Sequence, residues 1–180
     1  ELELISDMRP GLIQLEIGVQ STNGATIREI HRTMRLEDVY RAVNRVKAGK
    51  NIHQHLDLIA GLPFEDYERF QQSFDDIYAL HPQLGFLKVL KGSYMYEHAS
   101  EYGLIYRTKP PYEVLAGKWV SYDEMLEIRL VEEMLELHYN SGQFLTYLAV
   151  LEQRYASAFQ MFLDMGHFYR SHGYLDCSHN

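Results

Sequence analysis

The sequence predicts an α/β protein: part of a TIM-like barrel of about three parallel strands, followed by an all-α C-terminal domain. Three observations carry this. Gln14 to Ser21, Asn51 to Gly61 and Leu84 to Leu90 each read as strands, and each carries polar groups at alternate positions. Side chains of a strand alternate faces with period two, so these polar sets gather on one face. Segments of helical periodicity separate the strands, which implies right-handed crossovers and neighbouring parallel strands. The result is a polar lumen on one side of the strands and helices covering their apolar side.

Taken in order, Glu1 to Met8 reads as the last turns of a helix, and Arg9-Pro10-Gly11 turns the chain into the first strand. An opening in mid-helix is expected of a fragment of something larger. In that strand Leu15, Ile17 and Val19 alternate with Gln14, Glu16, Gly18 and Gln20. Ser21, Thr22 or Asn23 then caps a short helix, Thr26 to Arg32. A second helix starts at Leu36, with Val39, Tyr40, Val43 and Val46 on one face and Gly49 as its stop. The next strand places His53, His55, Asp57, Ile59 and Gly61 on one face. Leu62-Pro63-Phe64-Glu65-Asp66 turns into a third helix with the stripe Tyr67, Phe70, Phe74, Ile77 and acids at its dipole-positive end. In the third strand Phe86 and Lys88 are expected to share a face, against Gly85, Leu87 and Val89.

The character changes after Lys91-Gly92-Ser93, which places a domain boundary between 1–92 and 93–180. Residues 94–118 are rich in tyrosine and turn residues and read as an irregular connector. Ser121-Tyr122-Asp123-Glu124 matches a capping box. It opens a helix with the stripe Met125, Ile128, Val131, Met134/Leu135, His138, ended by Asn140-Ser141-Gly142. One or two further helices, rich in Tyr, Phe and Met, run from Phe144 to about His172. That wealth of soft and aromatic residues reads as core packing.

Composition narrows the function classes. The chain is 46% apolar and 23% charged, with a net charge of −8. Residues 1–92 hold 11 basic and 13 acidic groups, and residues 93–180 hold 6 and 12, so no nucleic-acid surface is expected. No apolar run approaches the roughly 18 residues of a membrane span, and no leader peptide is seen, so a cytoplasmic protein is expected. The single cysteine, Cys177, excludes a disulfide framework and any cysteine cluster supplied by this chain. No phosphate loop and no nucleophile elbow occur. His53 and His55 are spaced to face the same way and, with Glu16, are candidate metal ligands. The bland reading is a pair of hydrogen-bonding lumen histidines. His167, His172, Cys177 and His179 fit no standard zinc spacing.

What remains are polar groups towards the C-terminal ends of the strands, Glu16, Gln20, Asp57 and Lys88, with Arg32 close behind the first strand. In parallel α/β sheets and barrels that end hosts ligands. The combination LEIGVQS, HR and LDLIAGLPFED resembles the second half of the barrel of radical S-adenosylmethionine enzymes. It is similar in particular to the cobalamin-associated branch, and its G-V-Q, R and D-L-I-x-G-L-P signature also occurs in oxygen-independent coproporphyrinogen oxidase relatives. The resemblance covers about residues 10–92. It implies that Gln20 and Asp57 hydrogen-bond the ribose of S-adenosylmethionine, that Arg32 binds its carboxylate, and that Ile59 lies against its adenine, with Glu16 alongside. It also implies a 4Fe-4S cluster held by a C-x-x-x-C-x-x-C motif, which this chain lacks. The expectation is therefore a fragment of an iron-sulfur, oxidoreductase-like enzyme, inactive alone, whose parent carries S-adenosylmethionine, the cluster and, as a candidate, cobalamin. The substrate is not readable. The alternatives are a non-catalytic interaction module on a half barrel and a metal enzyme using His53, His55 and Glu16. Three strands cannot close a barrel, so both sheet edges are left unpaired, and self-association of the fragment or the folding of its C-terminal helices across those edges is expected.

Overall fold

A computed structural model describes residue 5 and residues 7–175. Two compact units divide the chain, Glu1–Leu87 and Lys88–Asn180. The helix expected over Glu1 to Met8 falls largely outside the described residues, as do Cys177 and His179.

The first unit is built on a parallel sheet of three strands, in the order β1 (Gln14–Gln20), β2 (His53–Ala60), β3 (Pro82–Phe86). Helices α1 (Gly24–Glu29) and α2 (Leu36–Gly49) lie between β1 and β2, and α3 (Tyr67–Ile77) lies between β2 and β3. This is the expected α/β arrangement of a partial barrel. Its helix limits follow from local chemistry. Asn23 caps α1 by accepting from the Ala25 amide, and Asp66 caps α3 by accepting from Arg69 N–H. Lys50, in the left-handed region at φ 54°, ends α2.

The two faces of the sheet differ. Along β2, Gln54, Leu56, Leu58 and Ala60 are buried, whereas His53 is exposed and His55, Asp57 and Ile59 are half-buried. The covered face packs with Val43, Val46, Phe70, Phe74 and Ile77. Each such side chain contributes about 1.5–3 kcal/mol by leaving water. Register partners in a parallel sheet share a face, so the open face carries Glu16 and Gly18 beside His55 and Asp57, and Gln83 and Gly85 beside Asp57 and Ile59.

The third strand corrects the sequence reading. It starts at Pro82, after His81 turns the chain at φ 62°. Phe86 pairs with Ala60 and is buried on the covered face, and Gly85 takes the open face. Lys88 lies beyond the strand, in the second unit, bridged to Glu113. An apolar run without clear alternation carries no face label of its own, and only pairing with β2 sets it.

The second unit is mostly helical. The stretch expected as an irregular connector contains a short helix, α4 (Tyr94–Glu97), and a two-stranded antiparallel ladder, β4 (Ile105–Tyr106) with β5 (Val114–Ala116). The capping box at Ser121 forms as expected, with Ser121 Oγ accepting from the Glu124 amide and Glu124 Oε2 accepting from Ser121 N–H. It opens α5 (Tyr122–Leu135), whose Met125, Ile128, Val131, Met134 and Leu135 are buried. A π-helical turn, Glu136–Asn140, continues it and buries His138. Then come α6 (Leu145–Leu151) and α7 (Ala158–Ser171). Helices α5 and α7 pack closely because Gly166 presents no side chain to Leu130.

Candidate functional site

The C-terminal end of β1 is irregular. Its register with β2 shifts between Gly18 and Gln20, so that Gly18 pairs with Asp57 and Gln20 with Leu58. Gln20 sits at φ 71°, in the left-handed region that non-glycine residues rarely enter. Such strain costs on the order of 1–3 kcal/mol and clusters at ligand sites. Here it turns the Gln20 carboxamide back over Gly18. A side-chain carbon built on Gly18 would lie 2.6 Å from Gln20 Nε2 and 3.4 Å from Arg32 Nη1. The glycine therefore leaves open a space that an amide and a guanidinium both border.

Arg32 reaches this point through the end of α1. His31, at φ 55°, donates its N–H to Arg28 O at 3.1 Å, and Arg32 donates its N–H to Ile27 O at 3.0 Å. That pair of bonds is a Schellman turn, which reverses the chain directly after the helix. The Arg32 side chain is thereby sent back towards the strand that precedes the helix.

Asp57 is on the open face of the central strand, in register with Gly18 on one side and Gln83 on the other. Partial burial pushes its carboxyl above the usual carboxylate range. The nearby Glu16 charge pushes the same way, and His55 opposes both. Ile59 follows on the same face, and its Cδ1 lies 3.0 Å from where a side-chain carbon on Gly85 would stand. The open face thus offers Glu16 and Asp57 as acceptors and Ile59 as an apolar surface, with the Gln20–Arg32 meeting point above Gly18. The rings of His53 and His55 meet edge to face at 4.3 Å. Among the described residues, no group of three or more His, Cys, Asp or Glu is placed to hold a metal ion, so the His53, His55, Glu16 metal reading gains no geometric support.

A buried network next to this site was not read from the sequence as functional. Glu65, only 2% exposed, accepts from Ser21 Oγ at 2.5 Å and from Ser73 Oγ at 2.8 Å. Thr22 joins through Ser73 Oγ at 3.1 Å and Asp76 Oδ2 at 2.7 Å, and Arg69 Nη2 donates to Thr22 Oγ1 at 2.9 Å. Asn23 Nδ2 donates to Phe64 O, and Thr26 Oγ1 to Pro63 O. These bonds tie the turn after β1, which carries Gln20, to the Gly-Leu-Pro-Phe turn after β2. Burial holds the Glu65 carboxyl above its usual range, against the two serine hydrogen bonds and Arg69. The signal in the sequence is Asp66: it takes the cap of α3, which leaves Glu65 free to turn inwards.

Residues 100–180 match the model of a family described as a protein of unknown function (DUF4080). No curated protein matches the chain.

Proposed function

We propose that this chain supplies the S-adenosylmethionine-facing wall of a radical S-adenosylmethionine enzyme. The observation that carries the reading is the convergence of Gln20 and Arg32 over Gly18, in register with Asp57. The family matched by residues 100–180 is associated with radical S-adenosylmethionine and cobalamin-binding proteins, which supports the same reading.

The residues present fit the organic part of that cofactor. Arg32 offers a forked donor to an amino-acid carboxylate. Asp57 accepts from ribose hydroxyls, and Gln20 accepts or donates beside it. Ile59 supplies an apolar surface for a flat base. The strained Gln20 backbone and the Glu65 network hold these groups in place before a ligand arrives, which lowers the ordering cost of binding. The residues do not fit the iron-sulfur cluster, because a single cysteine cannot ligate one. The cluster ligands, and cobalamin if the parent uses it, come from chain outside this sequence. The cluster with S-adenosylmethionine supplies hydrogen-atom abstraction chemistry; the residues here bind and orient.

Two measurements test this. The gene upstream of this segment should encode C-x-x-x-C-x-x-C, and the encoded whole protein should bind S-adenosylmethionine in equilibrium dialysis. An upstream sequence without the motif, or a whole protein that retains no S-adenosylmethionine, removes the proposal.

A further inference from the structure

The second unit holds a cavity of about 750 Å³ whose walls are largely aromatic: Phe144, Tyr147, Tyr155, Phe168 and Tyr169 surround it, with His138 against its inner wall. We infer that it is a binding site for an organic cation, a quaternary ammonium group carried on an apolar or aromatic body. This inference is independent of the radical enzyme reading.

Three observations support it. The first is that the rings are not closed into a core. Tyr147 is 51% exposed and Phe168 53%, whereas His138 is 4% exposed and lies 5.0 Å from Phe144, 6.4 Å from Tyr147 and 5.4 Å from Tyr169, centroid to centroid. Aromatic rings left facing an open cavity around a buried polar group describe a ligand site better than packing does. The second is the backbone. His138 sits on the π-helical turn Glu136–Asn140, closed by the Ser141 N–H donating to Glu136 O at 3.1 Å. Such turns cost helix regularity and recur at functional sites. The third is charge. Among the described lining residues Asp164 is the charged one, and it is an anion. Its carboxylate is held at the rim, accepting from Tyr155 Oη at 3.1 Å and from Gln160 Nε2 at 2.8 Å.

Ring faces are negative, and a carboxylate beside them adds to the field, so a cation is favoured and an anion is repelled. The volume is much larger than a bare ammonium group needs, hence the apolar body.

The test is a calorimetric titration of the 180-residue chain with benzyltrimethylammonium, and with benzyl alcohol, which keeps the ring without the charge. Saturable binding of the cation is expected, with benzyl alcohol about tenfold weaker or worse. Tyr147→Ala and Asp164→Asn should each weaken the cation about tenfold while circular dichroism stays native. Asp164 is exposed, so its amide carries the test if the Tyr147 variant fails to fold. No saturable binding of the cation, equal affinity for the two probes, or an unchanged affinity in the folded Asp164→Asn variant each overturns the inference.

Discussion

The carboxamide of Gln20 lies over Gly18, where any side chain on residue 18 would have to stand. Gly18→Ala therefore separates site from fold. The atom to be displaced is the far end of a flexible side chain, so the cost in stability should stay below about 1 kcal/mol. The same displacement pushes the Gln20 carboxamide out of the space beside Arg32, whose Nη1 at 3.4 Å is in ordinary contact with the new carbon. Thermal melting of the variant should be near that of the parent chain, while the S-adenosylmethionine binding proposed for the whole protein should fall. A variant that binds normally would show that the convergence has no role in the site.

On the proposed reading, Asp57→Ala in the whole protein removes an acceptor for the ribose of S-adenosylmethionine. A hydrogen bond to an ionised group is worth about 1.5–3 kcal/mol, so affinity should fall about 10- to 150-fold with the fold intact. Arg32→Lys should weaken binding as well, because an ammonium offers no fork to a carboxylate. Dialysis against labelled cofactor reads both. Normal binding in both variants would contradict the assignment of these positions.

Glu65 should mark the pH dependence of stability. Its folded pKa is raised, so the folded chain keeps the proton to higher pH than the unfolded chain does. Its favourable contribution is full below the unfolded value of about 4.3 and is lost as pH rises through the folded value. Glu65→Gln places an amide beside the buried, unpartnered Oε2 position, a cost of about 1–3 kcal/mol that does not vary with pH. The stability of the variant relative to the native chain should consequently improve between about pH 4 and pH 7. Urea denaturation at both ends measures it, and parallel curves would refute it.

Gly166→Ala tests the second unit. An alanine carbon there would lie 2.3 Å from Leu130 Cγ, in the middle of the α5–α7 contact. The gain in helix propensity of about 1 kcal/mol cannot offset overpacking of about 1–3 kcal/mol when the neighbour is a fully packed leucine. Melting should shift down by several degrees, and the cost of Gly166→Ala combined with Leu130→Ala should be smaller than the sum of the two single costs, because the shorter side chain makes room for the new carbon. An unchanged melting temperature in the single variant would mean that the helices separate at little cost.

Local interactions made the helices legible. The end of α2 at Gly49, the turn at Asn140-Ser141-Gly142 and the capping box at Ser121 each depend on residues within a turn of one another, and all stand where the pattern places them. The alternation of β2 was equally plain, because His53, His55 and Asp57 interleave with Leu56 and Leu58. Tertiary structure decided the rest. The open face of β3 belongs to Gly85 and not to Phe86, since only pairing with β2 sets the side of an unmarked apolar strand. The bulge at Gln20 depends on a partner strand 33 or more residues away, which local propensity does not register. Glu65 reads as one more acid at a helix start, and its burial arises from Ser21, 44 residues before it. The aromatic residues of α6 and α7 carry helical spacing that fits a core. Only the wider turn at His138 and the approach of the two helices leave a cavity between them, because backbone geometry and long-range packing set where side-chain volume runs short.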